Sequence, residues 1–122
     1  MKTLLLIFAG GGLGSVVRFL LGRWVNGFHQ INFPFGTLAV NVVACFILGL
    51  AVGFSDHRQL LSADLKIFWA IGFCGGFSTF STFSLETAHL FQQGMTASGL
   101  MYILGSVVLC WAAVLLGMWV GK

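Results

Sequence analysis

The placement of charge along this chain constrains its fold more than any other feature. Asp, Glu, Lys and Arg are absent for 15 residues between Lys2 and Arg18, for 32 between Arg23 and Asp56, for 19 between Lys66 and Glu86, and for 35 between Glu86 and Lys122. A helix needs about 20 mostly apolar residues to cross a hydrocarbon layer. The gaps therefore predict an all-α membrane protein, a single domain over residues 1–122 with four transmembrane helices at about 3–25, 33–54, 66–91 and 97–120. Within 122 residues that leaves no room for an extramembrane domain, a large substrate cavity or a nucleic-acid-binding module. Only 7% of the residues are charged, against roughly 25% in a soluble domain. The formal charge of +3 is too small and too scattered for a nucleic-acid footprint.

Local signals agree with this plan. Lys2 and the apolar run Leu4 to Ala9 resemble the opening of a signal peptide. The run continues past any cleavage point, however, and three equally apolar segments follow. Pro34 suits a first helical turn, where a missing N–H costs nothing. Ser55 to Gln59 is the most polar stretch and is expected to be a loop in water. Short connections predict that sequential helices are antiparallel neighbours. Trp24, Trp69, Trp119 and Tyr102 fall near segment ends, where amphipathic rings favour the headgroup region; Trp111 falls mid-segment, as a packing residue. An even number of crossings puts both termini and the central loop on one side. That side carries Lys2, Arg58, Lys66 and Lys122, and the other Arg18 and Arg23, so positive charge favours cytoplasmic termini. So small a margin permits insertion both ways and, with it, an antiparallel homodimer. Glycines recur at four-residue spacing (Gly10 and Gly14, Gly49 and Gly53, Gly72 and Gly76, Gly117 and Gly121), which predicts close helix contacts within and across subunits.

Several apparent chemical motifs are weak. Gly10 to Ser15 has the look of a dinucleotide loop but lacks the preceding strand and the later acidic residue, so no nucleotide is expected. Cys45, Cys74 and Cys110 fall one to a helix and read as buried, inert thiols. His29, His57 and His89 lie at or near segment ends and read as solvated. No Ser-His-Asp or paired-carboxylate set can be assembled within the bilayer, so the chain is not read as an enzyme. Arg18 is the one charge well inside a predicted span. It is either functional, as intramembrane charges generally are, or an arginine snorkelling to the interface. A structural or pore-mouth role is the better fit.

Residues 72 to 84 read Gly-Phe-Cys-Gly-Gly-Phe-Ser-Thr-Phe-Ser-Thr-Phe-Ser. Gly75-Gly76 weakens a helix at mid-span, and open backbone at membrane depth is tolerated only inside protein or along a cavity. Freed carbonyls are cation ligands. The three-residue repeat puts Phe77, Phe80 and Phe83 on one stripe, Ser78, Ser81 and Ser84 on a second, and Thr79 and Thr82 on a third. The hydroxyls are equally placed to back-bond to carbonyls one turn earlier, and the rings to pack; composition alone favours packing. On the second helix Thr37, Asn41 and Cys45 share a face, and a buried Asn needs hydrogen-bond partners. Ser106 supplies a mid-span hydroxyl on the fourth. Together these describe a path of neutral donors and aromatic edges with no fixed cation, which suits a small hard anion. A buried Lys or Arg would hold the ion too tightly for conduction.

These residues resemble the small fluoride channels of the Fluc/CrcB type. The resemblance covers essentially the whole chain and rests on Gly12-Leu13-Gly14-Ser15-Val16-Val17-Arg18, on Phe35-Gly36-Thr37-Leu38-Ala39-Val40-Asn41, and on Gly75-Gly76-Phe77-Ser78-Thr79-Phe80-Ser81-Thr82-Phe83-Ser84. It implies a multi-pass protein of the bacterial inner membrane in which two antiparallel subunits form a dual-topology dimer, surrounded by lipid, with two fluoride pores. By motif, Phe80 and Phe83 would contact fluoride with their ring edges, and Asn41 would be the pore-lining amide. Ser81, Thr82 and Ser84 would lie beside them, with some supplying hydroxyls to the ion path. Backbone carbonyls near Gly75 and Ser78 would hold a structural sodium ion at the dimer centre, and Glu86 would stand near the pore mouth. On the fourth helix Cys110 follows Ser106 where a second hydroxyl is expected, which makes the polar track less secure than the aromatic pair. The implied function is passive export of fluoride, protecting the cell from its toxicity.

Two other classes compete. A small four-helix drug/proton antiporter would share size and dual topology, but needs a membrane-embedded carboxylate; Asp56 and Asp64 fall in or beside the central loop and Glu86 near a helix end. An assembly or lipid-packing protein would explain the glycines and phenylalanines but not Asn41 or the hydroxyl repeat.

Overall fold

The charge-poor segments are mostly helix and no strand occurs among the described residues, which are 1–28, 33–59 and 61–122 of a computed structural model. Helix α1 spans Lys2–Asn26, α2 spans Phe35–Gly53, and α6 spans Thr96–Val120. Lys2–Asn26, Phe35–Arg58 and Thr96–Val120 are each long and apolar enough to cross a membrane. The third segment, expected over 66–91 with a break at mid-span, is divided. It comprises α3 (Ala63–Lys66), wide π-type turns over Ile67–Phe73, α4 (Cys74–Phe77) and α5 (Phe80–Gln92). Ser62 starts it by accepting from the Leu65 N–H, an N-cap that satisfies one of the free amides of a first turn. Asn26 Oδ1 likewise accepts from Gly36 N at the head of α2.

The stretch expected as a loop from Ser55 to Gln59 is helical as far as Arg58. The helix widens to π-type turns over Phe54–Arg58 and ends at Gln59, whose φ of 51° lies in the left-handed region. Asp56, His57, Arg58 and Gln59 are exposed, as their polarity requires. His29 lies outside the described residues, and His57 and His89 are both exposed.

Glycine pairs set the packing, and they pair alternate segments rather than sequential ones. Gly49 and Gly53 of α2 meet Gly117 and Gly121 at the end of α6 in the same order, so these helices run parallel. A Cβ added to Gly53 would sit 2.9 Å from both the Gly121 Cα and the Met118 carbonyl oxygen. Gly10 and Gly14 of α1 face the backbone of residues 68–77 in the same parallel sense, and a Cβ on Gly10 would lie 2.6 Å from the Phe68 carbonyl oxygen. All four pairs are thus spent on contacts within the chain. At one end of the molecule Lys2 Nζ pairs with Asp64 at 2.6 Å, and Arg58 Nε donates to the Lys122 carbonyl. Both termini and the 55–66 connection therefore meet there.

The core contains Val40, Ala44, Phe73, Cys74 and Phe77. Two aromatic expectations fail. Tyr102 is wholly buried rather than interfacial, because its ring packs on Phe33 and Phe83 and its hydroxyl has polar partners. Trp111 is exposed on the protomer rather than packed, since it faces away from the α2–α6 seam.

Candidate functional site: a helix break and two cavities

The break in the third segment lies at Ser78–Thr79, one turn beyond Gly75-Gly76. Both glycines are helical. Gly76 is pressed against the Gly11 backbone, whereas a Cβ at Gly75 would meet nothing within 4 Å. What opens the backbone is competition for its amides. Thr79 is extended (φ −149°, ψ 117°). Its N–H donates to Asn41 Oδ1 at 2.9 Å, and Asn41 Nδ2 donates to its carbonyl at 3.2 Å. Its hydroxyl then caps α5 by accepting from Thr82 N at 3.2 Å. In an unbroken helix the Thr79 and Thr82 amides would bond to the carbonyls of Gly75 and Ser78. Both amides are diverted, and no other donor among the described residues reaches those two carbonyls. Gly75 and Ser78 are also exposed on the protomer.

The break divides the expected Phe stripe. Phe77 stays in the core, stacked on Phe73. Phe80 is 77% exposed, and Phe83 is half-buried between Phe80 and Tyr102, with ring centroids 5.5 and 4.9 Å away. The hydroxyl repeat also separates. Ser78 Oγ back-bonds to the Cys74 carbonyl at 2.7 Å. Thr82 accepts from the Thr79 hydroxyl at 3.1 Å, and Ser81 lies 3.3 Å from it. Ser81 and Ser84 are exposed and line neither of the cavities described next.

One cavity of about 280 Å³ brings together Asn41, Phe80, Phe83 and Ser106, with Ser78, Thr79, Val107 and the thiols of Cys45 and Cys110. No charged side chain borders it. Ser106 is 7% exposed and its hydroxyl has no partner among the described residues. A buried unpaired hydroxyl is costly unless something polar meets it. Asn41 also keeps one amide hydrogen beyond the Thr79 contact. A second cavity of about 320 Å³ is lined by Arg18, Arg23, Asn26, Thr37, Thr82 and Glu86 among others. Thr79 borders both. Arg18 is half-buried, with an unpartnered Nε. Tyr102 OH lies 3.3 Å from Glu86 Oε1 and also interacts with the Thr37 hydroxyl. Thr37, Thr82, Arg18 and Glu86 thus gather in a charged antechamber, and Asn41, Phe80, Phe83 and Ser106 in a neutral chamber. The sequence reading gives neither Thr79 nor Tyr102 a place in the site. Thr79 shows itself as an N-cap three residues before Thr82, and Tyr102 by the four-residue spacing Tyr102, Ser106, Cys110.

The family model for CrcB-like protein, Camphor Resistance (CrcB), matches residues 5–118. The chain belongs to the CrcB family. It is 45% identical over 122 residues, the whole of both chains, to a Fluoride-specific ion channel FluC of Phocaeicola vulgatus. It is 42% identical over 122 residues to one of Agrobacterium fabrum, covering 100% of this chain and 98% of the relative. With one of Geobacter metallireducens it shares 44% over 117 residues, 96% and 94% of the two chains. With its long apolar helices, this CrcB member is a multi-pass integral protein of a bacterial membrane.

Proposed function

We propose that this CrcB protein is a fluoride-selective channel that lets fluoride leave the cytoplasm down its gradient. The observation that carries this reading is the neutral chamber. An amide, an orphan hydroxyl and two phenyl rings border one space without a fixed charge. Such groups replace water around a small anion without trapping it, and full-length similarity to proteins named for fluoride supports the choice of ion. The antechamber, with Arg18 and Arg23, would concentrate anions at its mouth. Ser81 and Ser84 are the members of the expected path that border neither cavity in the protomer. A proton-coupled antiporter is less well supported: Asp64 pairs with Lys2, Asp56 is exposed, and no carboxylate borders the chamber.

The functional unit in this reading has four crossings per subunit, the broken segment being the third, and two antiparallel copies. The exposed Gly75, Ser78 and Phe80 would lie against the second copy. The donor-free carbonyls of Gly75 and Ser78 suit a hard cation, and with the same pair from the second copy they would hold a sodium ion that ties the subunits together.

Purified protein in liposomes is expected to release fluoride without proton coupling and with little chloride passage, followed by an ion-selective electrode. Equal fluoride and chloride rates would defeat the selectivity claim. Prolonged exchange of sodium for a large organic cation is expected to lose activity or dimer order; retention of both would remove the sodium assignment.

A further inference from the structure

Spacing along the chain gives no reason to pair the cysteines, which lie on different segments. Packing does pair two of them. Cys45 on α2 and Cys110 on α6 border the same chamber, and the parallel register that sets Gly49 against Val114, Gly117 and Met118 puts Cys45, one turn earlier, level with Cys110. Both are free and half-buried, and both belong to the cavity's lining. Cys74 differs. It is buried, and its thiol is directed to the Ala44 carbonyl at 3.7 Å. The two helices bearing the pair are held by the backbone contacts of Gly49 with Gly117 and of Gly53 with Gly121. The sulfurs are therefore presented by fixed supports rather than by a loop.

We propose that Cys45 and Cys110 form a two-thiol site in the chamber wall for a soft, two-coordinate cation of the Hg(II) class, and that a bound cation stops fluoride passing. Thiolate sulfur selects soft metals over hard ones, and among the described residues no larger group of His, Cys, Asp and Glu converges to favour a four-coordinate ion. Binding breaks both S–H bonds, forms two S–Hg bonds and sends two protons to water, with no electron transferred. The product is a neutral bridge from α2 to α6. It lies in the chamber bordered by Asn41, Phe80 and Phe83, where it removes the space an ion needs and replaces two weak donors with none. The blockade, though not the binding site, rests on the channel reading given above.

The test uses mercuric chloride on the purified full-length protein. Intact-mass measurement and titration of remaining thiols are expected to show one Hg(II) per chain consuming two thiols, with Cys74 left free. Cys74→Ser keeps this stoichiometry, while Cys45→Ser and Cys110→Ser lose the two-thiol product. In liposomes, mercuric ion is expected to slow fluoride efflux by about tenfold or more in wild type and Cys74→Ser. Each variant is compared with its own metal-free rate, and a dithiol reagent reverses the block. In Cys45→Ser and Cys110→Ser the ratio of rates is expected to stay near one. One metal per thiol in the wild type, or consumption of Cys74 first, overturns the site even if no variant can be purified. Two-thiol binding with unchanged efflux overturns the blockade. Wild-type vesicles that release no fluoride overturn the channel reading and the blockade together, while the wild-type stoichiometry still decides the site.

Discussion

The α2–α6 seam and the break at Ser78–Thr79 both bring backbone into intimate contact with another part of the chain, by opposite means. In the seam the helical ladders stay intact and side chains are removed, so that Gly49 and Gly53 rest on Gly117 and Gly121. No polar group is exposed, and dispersion contacts do the holding. At the break the ladder opens, and side chains are recruited to meet the freed groups: Asn41 takes the Thr79 amide and carbonyl, and the Thr79 hydroxyl takes the Thr82 amide. A seam of the first kind fixes helices but offers nothing to an ion. A break of the second kind leaves a few groups deliberately short of partners, the Gly75 and Ser78 carbonyls and the Ser106 hydroxyl nearby, in an environment where unpaired polar groups are costly. The chain keeps its helical regularity in the seam and gives it up at the break, where its unpaired polar groups collect.

Perturbing the seam should have the largest effect. Gly49→Leu forces a side chain into the Val114–Gly117 backbone and is expected to destabilise by about 3 kcal/mol, seen as loss of the monodisperse peak in size-exclusion chromatography. Gly105→Ala, where a Cβ meets nothing within 4 Å, should behave as wild type. If both behave alike, the seam is not what holds α2 to α6. At the break, Asn41→Ala removes two hydrogen bonds and is expected to cost about 1–3 kcal/mol, read as a lower thermal midpoint in detergent, together with loss of fluoride flux from a protein that still elutes as wild type does. An unchanged midpoint would mean that the clamp holds nothing. Smallest in stability but visible in function, Phe80→Ile and Phe83→Ile are each expected to cut flux by about tenfold, the equivalent of about 1.4 kcal/mol from a ring edge, with elution unchanged. Unchanged flux in both would remove the rings from the path.

Legibility followed the same division. The seam residues stand out in the sequence, since four-residue glycine spacing marks a face whatever it touches; the pairing of alternate segments does not, because spacing identifies a face and not its partner. Within the site, Asn41, Phe80, Phe83 and Ser106 are recognisable as residues too polar or too regularly repeated for a lipid face, and they come together in one chamber. The position of the break is less legible. Gly75-Gly76 is the weaker stretch by propensity, but Gly76 has a backbone neighbour that keeps it helical, and the opening falls where an amide 38 residues earlier in the chain competes for the Thr79 N–H. Tyr102 departs from its expected place for a similar reason: its position near a segment end points to the interface, while its neighbours Phe33, Phe83 and Glu86 bury it.

The sequence by itself determined that the chain is helical and made for a membrane, because the spacing of charges and apolar residues is a local matter between backbone geometry and the surrounding medium. It also marked the glycine faces and the unusual residues of the third segment. Only the tertiary structure decided that the first and third segments pair, as do the second and fourth; that the third opens at Thr79; and that Cys45 and Cys110 border one chamber. Each of these depends on register between distant segments, which is set by close packing over the whole bundle and by competition among hydrogen-bond partners far apart in the chain.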